Sequence, residues 1–305
     1  MSLWSSKPML LYFEDELNGA TRLAQATHLP ARRVERHRFP DGEIKLRLPE
    51  ILPARVVIFR TLNDPNDKLI ELLLVVQTAR TLGATHLTLV APYLAYMRQD
   101  MAFRPGEAIS QRIVGKFLAD LFDAVITVDP HLHRVATLQE AVPLAQAVVL
   151  SGAPLLSDWI AAQRQRPLLI GPDEESAQWV AMAADRHGFD HAVCHKLRRG
   201  DRDVEVALPD VVLAGRQVVL LDDVASTGHS VARAAQLLLA AGAVSVDVAV
   251  THALFSGDAL QVMQAAGVGE VWSTDCIAHP SNVVSMACAL ATTLAQLQSR
   301  HDGQN

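Results

Sequence analysis

The sequence of 305 residues has few cysteines, no long apolar run and no excess of basic residues. Its three cysteines include no Cys-x-x-Cys pair, so neither a disulfide framework nor a zinc site is expected. Lys and Arg number 27 against 33 Asp and Glu, whereas domains that bind nucleic acid are usually strongly basic. The apolar run at 9–13 is too short for a signal peptide, and the stretch at 283–297 is too broken to span a membrane. We therefore expect a cytoplasmic protein with no nucleic-acid or membrane partner.

What the sequence does contain is a regular alternation of short apolar runs with longer segments of helical period. The strands are predicted at 56–60, 87–92, 125–129, 168–171, 218–222, 246–251 and 271–274. The helices are predicted at 68–82, 110–121, 176–187, 230–241 and 283–298. Short runs that are apolar throughout and separated by helices are typical of parallel strands covered on both faces. The predicted class is α/β, with mainly parallel sheets flanked by helices.

This pattern occurs twice. A strand, a polar loop, a helix, a Gly-Ala pair and a second strand begin at Val56 and begin again at Val218. Any two βαβ units share some likeness, but the matched Gly-Ala pairs at 83–84 and 242–243 favour a duplicated domain. A break in the pattern near residue 150 predicts one domain at 1–150 and a second at 151–305.

One loop, present in the second copy alone, is suited to a phosphate. Asp222 and Asp223 end its first strand, and residues 226–230 (Ser-Thr-Gly-His-Ser) follow at a helix start. Hydroxyls, a glycine and N–H groups at a helix start can bind a monophosphate, while the carboxylates can accept hydrogen bonds from sugar hydroxyls. The first copy has residues 62–67 there, with a proline that removes one donor. The loop predicts a pentose 5-phosphate site; the alternative is a serine that caps the helix after a solvated acidic turn.

The Asp-Asp pair with its Thr-Gly turn resembles the phosphoribosyl pyrophosphate loop of phosphoribosyltransferases and of the ribose-phosphate pyrophosphokinase family. Further segments resemble the pyrophosphokinase family in chain order, at 39–43 (Phe-Pro-Asp-Gly-Glu), 92–100, 104–110, 125–131, 196–198 and 274–282. The resemblance covers nearly the whole chain. It implies two phosphoribosyltransferase-like halves, the first for ATP-side and subunit contacts, the second for the ribose 5-phosphate loop and a catalytic lid.

The resemblance also implies a role for each matching residue. ATP would be bound by Phe39, Asp41, Glu43, Arg98, Gln99, Asp100 and Arg104. Ribose 5-phosphate would be bound by Asp222, Asp223, Ser226, Thr227, Gly228, His229 and Ser230. Lys196 and Arg198 would be catalytic, since cations on a closing loop can stabilise charge in the transition state. His131 and Asp173 would hold Mg²⁺, and Phe39 would stack on adenine bound to a neighbouring subunit.

The implied reaction transfers the β,γ-diphosphoryl group of MgATP to the anomeric hydroxyl of ribose 5-phosphate, giving phosphoribosyl pyrophosphate and AMP. The chain departs from the family pattern at 174–176, where many members have a Gly-Gly turn, and at 101–104. Two alternatives stay open: a nucleobase phosphoribosyltransferase, and a catalytically weak regulatory subunit. We expect self-association into at least a homodimer, with a hexamer as the larger alternative.

Overall fold

The computed structural model describes residues 7–198 and 204–302, without the side chains of 196–198, 204–205 and 300–302. It divides into two compact units. One unit contains the residues up to Leu150 together with those from Met286 onward, and the other is Ser151–Ser285. No helix in these described ranges has the length and apolarity needed to cross a bilayer.

The first unit is built around one parallel sheet. Its strands are β1 (Met9–Tyr12), β2 (Ala31–Arg33), β3 (Glu35–Arg38), β4 (Ile44–Arg47), β5 (Arg55–Phe59), β6 (His86–Ala91), β7 (Ala124–Val128) and β8 (Gln146–Leu150). Its helices before Leu150 are α1 (Leu17–Thr27), α2 (Pro65–Thr81), α3 (Ser110–Leu121) and α4 (Leu138–Ala141). The six-stranded sheet has the order β2-β1-β5-β6-β7-β8, and β3 pairs with β4 in a separate antiparallel hairpin. All five residues of β7 are buried, as expected for a parallel strand covered on both faces.

The second unit repeats this arrangement. Its strands are β9 (Leu168–Gly171), β10 (Asp190–Val193), β11 (His195–Arg198), β12 (Val204–Ala207), β13 (Gln217–Ala225), β14 (Ser245–Ala253), β15 (Val268–Thr274) and β16 (Asn282–Val284). Its helices are α5 (Ala153–Gln163), α6 (Ala177–His187), α7 (His229–Ala240) and α8 (Ala259–Ala265). The sheet order is β10-β9-β13-β14-β15-β16, with β11 and β12 as the separate hairpin.

The two sheets therefore have the same strand order and the same position for the extra hairpin. The register agrees too. Val57, the third residue of β5, pairs with Leu10, the second residue of β1, and Val219, the third residue of β13, pairs with Leu169, the second residue of β9. The predicted class, α/β with two mainly parallel sheets flanked by helices, is confirmed.

The last helix, α9 (Ala287–Asp302), packs against α1 and belongs to the first unit. Leu290, Leu294 and Leu297 recur at helical spacing and are buried. This division differs at its end from the predicted domain at 151–305. The reason is that the apolar stripe on α9 must be covered, and α1 of the first unit covers part of it.

Candidate active site

The predicted ribose phosphate loop connects β13 to α7. The strand runs three residues beyond the predicted end at 222, so Asp222 and Asp223 lie within it. Helix α7 begins at His229, with Gly228 as its N-cap at φ 74°, and no side chain caps it. The first-turn N–H groups of a helix carry partial positive charge and favour an anion. The geometry supports a phosphate site here rather than the alternative of a serine cap.

Gly228 is required at the start of α7 for two reasons. Its φ lies in the left-handed region, which side chains disfavour. A Cβ at this position would also lie 2.9 Å from the carbonyl oxygen of Ala259. The loop is therefore held close to helix α8, which leaves Thr227, His229 and Ser230 exposed around the helix start.

The carboxylates before the loop form an acidic group. Asp223 is 2% exposed and Asp222 is half-buried, and the Asp223 N–H donates to Oδ1 of Asp222 at 3.0 Å. The pKa of Asp222 is raised well above its ordinary value, first by burial and then by the charges of Asp223 and Asp173. Asp173 follows β9, the neighbour of β13 in the sheet. Three carboxylates thus gather at the carboxyl ends of two parallel strands, where open sheets bind ligands.

Asp173 lies at the start of a short 3-10 turn, Glu174–Ser176. Its Oδ1 accepts from the Glu175 N–H at 3.1 Å, and Asp173 itself is half-buried. Glu174 is exposed and its Oε1 lies 2.7 Å from Nδ1 of His195. The extra acids that depart from the family pattern therefore lie on the outside of this turn.

A segment that the sequence reasoning missed runs beside the loop. The Phe255 and Ser256 N–H groups donate to the carbonyls of Ala225 and Ser226, both at 3.0 Å. The hydroxyls of Ser226 and Ser256 lie 3.4 Å apart, and the His279 ring packs 4.9 Å from that of Phe255. The only sequence signal for Ser256 was a small polar residue that follows the strand predicted at 246–251.

Lys196 and Arg198 lie in β11, opposite Val206 and Val204 of β12. Their side chains, and residues 199–203 altogether, lie outside the described residues. The assignment of catalytic roles to Lys196 and Arg198 therefore stays a prediction.

In the first unit, the segment at 39–43 forms the tip of the β3–β4 hairpin. The Phe39 N–H donates to the Glu43 carbonyl at 2.8 Å, and Gly42, at φ 95°, closes the turn. Phe39 is 38% exposed at this tip, and the Asp41 and Glu43 side chains are exposed beside it. An exposed aromatic face with nearby carboxylates is suited to an aminopurine that is brought to the tip.

The loop after β6 carries the predicted residues for the ATP phosphates. Arg98 and Arg104 are exposed, and their guanidinium groups are therefore accessible to an anion. Gln99 is half-buried and donates from Nε2 to the Met101 carbonyl at 3.1 Å. An arginine fork matches two phosphate oxygens at once, so Arg98 and Arg104 are chemically suited to this role.

Asp100, predicted as an ATP-binding residue, is buried beneath an arginine. Its side chain is 1% exposed, and Oδ1 accepts from Nη1 of Arg134 at 2.7 Å. Arg134 itself is 52% exposed. Because a buried carboxylate fixes the guanidinium that covers it, Asp100 holds Arg134 and offers no open surface to a nucleotide. Sequence reasoning missed Arg134, whose signal was a cation three residues after His131.

His131 follows β7 at the carboxyl end of the first sheet. It is half-buried, and its ring lies 5.1 Å from that of the exposed His133. The position is the one at which parallel sheets bind ligands, as for Asp173 in the second unit.

Comparison with known proteins gives the family. One family model, described as the N-terminal domain of ribose phosphate pyrophosphokinase, matches residues 9–121; another, a phosphoribosyl synthetase-associated domain, matches 205–297. A ribose-phosphate pyrophosphokinase of Methanopyrus kandleri is 34% identical over 279 residues, 90% of this chain and 94% of the relative. One of Halobacterium salinarum is 32% identical over 94% of this chain and 100% of the relative. The chain belongs to the ribose-phosphate pyrophosphokinase family.

Membership in the pyrophosphokinase family makes the chain a diphosphotransferase and confirms the predicted enzyme class. The solved phosphoribosylpyrophosphate synthetase of Mycobacterium smegmatis shares the fold, with a TM-score of 0.83 over 97% of this chain and 100% of that one. At 24% identity, that likeness concerns the fold alone.

In this pyrophosphokinase family member, the first unit has an arginine where the second has the acidic loop. Counting from the paired strands, Arg60 occupies the position of Asp222. Its side chain is 0% exposed and pairs with Asp15, Glu16 and Glu71. The position is thus closed by the unit's own charged side chains and is not open to a sugar phosphate.

The helix start in the first unit is also unsuited to an anion. Helix α2 has Asp64 as its N-cap, Pro65 at its first position and Asp67 in its first turn. Carboxylates there occupy the positive end of the helix dipole, and the proline supplies no N–H donor. The contrast between the units supports the prediction that one loop, after β13, binds the phosphate.

Proposed function

We propose that the chain transfers the β,γ-diphosphoryl group of MgATP to the anomeric hydroxyl of ribose 5-phosphate, which yields phosphoribosyl pyrophosphate and AMP. Family membership gives the enzyme class. The observation that carries the assignment to this chain is the start of α7, which follows Asp222 and Asp223 and has no side-chain cap. At the equivalent position of the first unit, Arg60 is paired with the unit's own carboxylates and leaves no open site.

On the acceptor side, residues 226–230 bind the 5-phosphate through first-turn N–H groups and hydroxyls. Asp222 and Asp223 accept hydrogen bonds from the ribose hydroxyls. A buried carboxylate such as Asp223 fixes the orientation of the diol that it binds, because charge-assisted hydrogen bonds are short and directional. The anomeric hydroxyl is thereby presented in one orientation.

On the donor side, Phe39 stacks on adenine, Asp41 and Glu43 accept from its polar edge, and Arg98, Gln99 and Arg104 contact phosphate oxygens. Lys196 and Arg198 stabilise the charge that develops during transfer. Phosphoryl chemistry needs little covalent participation, so positioning and charge neutralisation account for most of the rate. A nucleobase phosphoribosyltransferase would have no use for these donor residues.

The residues present fit Mg²⁺. The pKa of Asp222 is raised by burial and by the charges of Asp223 and Asp173, so a bound cation would relieve this crowding of carboxylates. Hard carboxylate oxygens are the donors that Mg²⁺ prefers. His131 in the first unit would hold one Mg²⁺ ion, and Asp173 in the second unit would hold a second. When bound, Mg²⁺ neutralises phosphate charge; the residues of this chain orient the acceptor and the nucleotide.

The partners we propose are ATP, ribose 5-phosphate and further copies of this chain, in a homodimer at least or a hexamer. Self-association follows from the assignment of Phe39 to a nucleotide on a neighbouring subunit. ATP and a sugar phosphate as substrates favour the cytoplasm as the place of action.

The test is an assay of AMP formation from ribose 5-phosphate and MgATP, with Asp223→Asn beside the wild type. Loss of the charge should raise the KM for ribose 5-phosphate by about 10–100-fold, the equivalent of one charge-assisted hydrogen bond. The KM for ATP should change little.

Asp185→Asn, on the exposed face of α6, is the control and should resemble the wild type. A wild type that forms no AMP, but releases pyrophosphate from added phosphoribosyl pyrophosphate when a nucleobase is present, would favour the phosphoribosyltransferase. An inactive chain that alters the rate of an active relative would favour the regulatory subunit.

A further inference from the structure

The β3–β4 hairpin is connected to the rest of the first unit by a buried carboxylate. Glu71 of α2 is 0% exposed, and each of its oxygens accepts from a different arginine. Oε2 accepts from Nη2 of Arg60, and Oε1 accepts from Nη1 of Arg36 in β3. Glu71 therefore bridges the hairpin and the loop that follows β5.

Further ion pairs fix the two arginines. Nη1 of Arg60 lies 2.7 Å from Oδ2 of Asp15 and 3.1 Å from Oε1 of Glu16. Nη2 of Arg36 lies 3.6 Å from the other oxygen of Asp15. The Phe13 ring lies beneath both guanidinium carbons, at 4.5 Å from Arg60 and 5.9 Å from Arg36. Each guanidinium is thus held in more than one direction.

The hairpin needs such a connection because it belongs to no larger sheet in the described ranges. All four residues of β3 are exposed, so apolar packing of the hairpin comes from Leu46 of β4 and from Val34 and Leu48 at its ends. An isolated two-stranded hairpin is marginally stable in water. Beyond these apolar anchors, the polar contacts that join β3 to α2 are Arg36 with Glu71 and, at the surface, Arg38 with Asp67.

A buried ion cluster is a poor way to gain stability, since desolvation offsets much of the attraction. What it provides is direction, because guanidinium and carboxylate pair in a fixed geometry. The ion cluster fixes the direction of β3 through Arg36. Phe39 follows the last residue of β3, Arg38, at the tip of the hairpin.

We propose that Arg36 and Glu71 are positioning residues for the nucleotide. They set the angle at which the hairpin presents Phe39 to adenine, and they act through the hairpin without touching the substrate. This inference rests on the proposed function, in which the tip binds ATP.

The test compares Arg36→Gln with the wild type. Arg36 is partly exposed, so the variant removes the connection and leaves the buried pair of Glu71 with Arg60 in place. The KM for ATP should rise by about 10–100-fold, the scale of a misplaced binding group. The KM for ribose 5-phosphate should stay at the wild-type value, because its site lies on the second unit.

Arg47→Gln is the matched control, since Arg47 is in the same hairpin but is 68% exposed and pairs with the exposed Glu35 and Glu50. It should keep the wild-type KM for ATP. Arg36→Lys retains a cation for Glu71 and should recover part of the loss.

Three outcomes would overturn the inference: an unchanged KM for ATP in Arg36→Gln, an equal rise in both KM values, or an equal effect of Arg47→Gln. If the wild type forms no AMP, the proposed function fails. In that case, calorimetric Kd values for ATP across the same variants test the positioning inference independently of catalysis. A wild type that binds no ATP would overturn both the positioning inference and the proposed function.

Discussion

A change of charge at one position separates the two copies of the loop. Asp222 contributes a carboxylate to an acidic group that repels itself, whereas Arg60, at the equivalent position, is neutralised by three carboxylates. The acidic group around Asp222 favours the binding of a cation and a polar ligand. The charge of Arg60 is already balanced, so its site needs no ligand. Under the proposed function, this difference in charge, together with the start of α2, leaves the loop after β13 as the sugar phosphate site.

Glu16 beside Arg60 gives a prediction about pH. Burial is the main reason that its pKa is raised from 4.5 to about 7, against the lowering effect of Lys68 and Arg60. Since the folded state binds this proton more tightly, the stabilisation is fully present below about pH 4.5. It is lost as the pH rises to about 7, to a total of about 3 kcal/mol.

Glu16→Gln removes this proton equilibrium and keeps an acceptor for the Thr61 N–H, which lies 3.1 Å from Oε1. Urea unfolding of both proteins from about pH 5 to 8 is the measurement. We expect the free energy of unfolding of the wild type, relative to the variant, to fall as the pH rises. A difference that stays constant, or that grows with pH, would contradict the assignment.

At the scale of elements, the functional unit is a strand, a loop and the first turn of a helix. Gly228→Ala tests it, because an added Cβ meets the Ala259 carbonyl at 2.9 Å and must displace either the loop or α8. We expect a higher KM for ribose 5-phosphate and a loss of about 1–2 kcal/mol of stability from the left-handed backbone. Steady-state kinetics and thermal unfolding measure the two effects.

Gly188→Ala is the matched control. Gly188 has a similar φ of 66°, at the end of α6, but a Cβ there meets nothing within 4 Å. It should lose comparable stability and keep the wild-type KM. If both variants change the KM alike, the loop has no special role.

The elements that sequence reasoning found are those with a strong local period. The seven predicted strands correspond to β5, β6, β7, β9, β13, β14 and β15. Both hairpins were missed, and β3 shows why. Its four residues, Glu-Arg-His-Arg, are all polar and exposed, so neither alternation nor an apolar run marks them as a strand.

For the whole molecule, the proposal that Phe39 serves a neighbouring subunit can be tested by mixing. Phe39→Ala and Lys196→Ala chains should each be weakly active alone. If each site takes its hairpin from a symmetry-related copy, an intact site needs Lys196 from one chain and Phe39 from its neighbour. Coexpression in equal amounts should therefore make about a quarter of the sites intact.

The double variant Phe39→Ala/Lys196→Ala, coexpressed with Phe39→Ala, is the control and should give no recovery. Absence of recovery in the first mixture would mean that the hairpin serves the site of its own chain. Light scattering on the same samples reports whether the chains associate.

The sequence by itself determined seven of the twelve strands that the structure describes in the two parallel sheets, and which loop carries the acidic and hydroxyl groups. Both depend on residues that are close together along the chain. Only the tertiary structure decided that Arg60 closes the first copy, that Asp100 is buried under Arg134, and that α9 returns to the first unit. Glu71 pairs with a residue 11 positions away and another 35 positions away. Such pairings depend on which elements become neighbours, and that is settled by the packing of the whole unit.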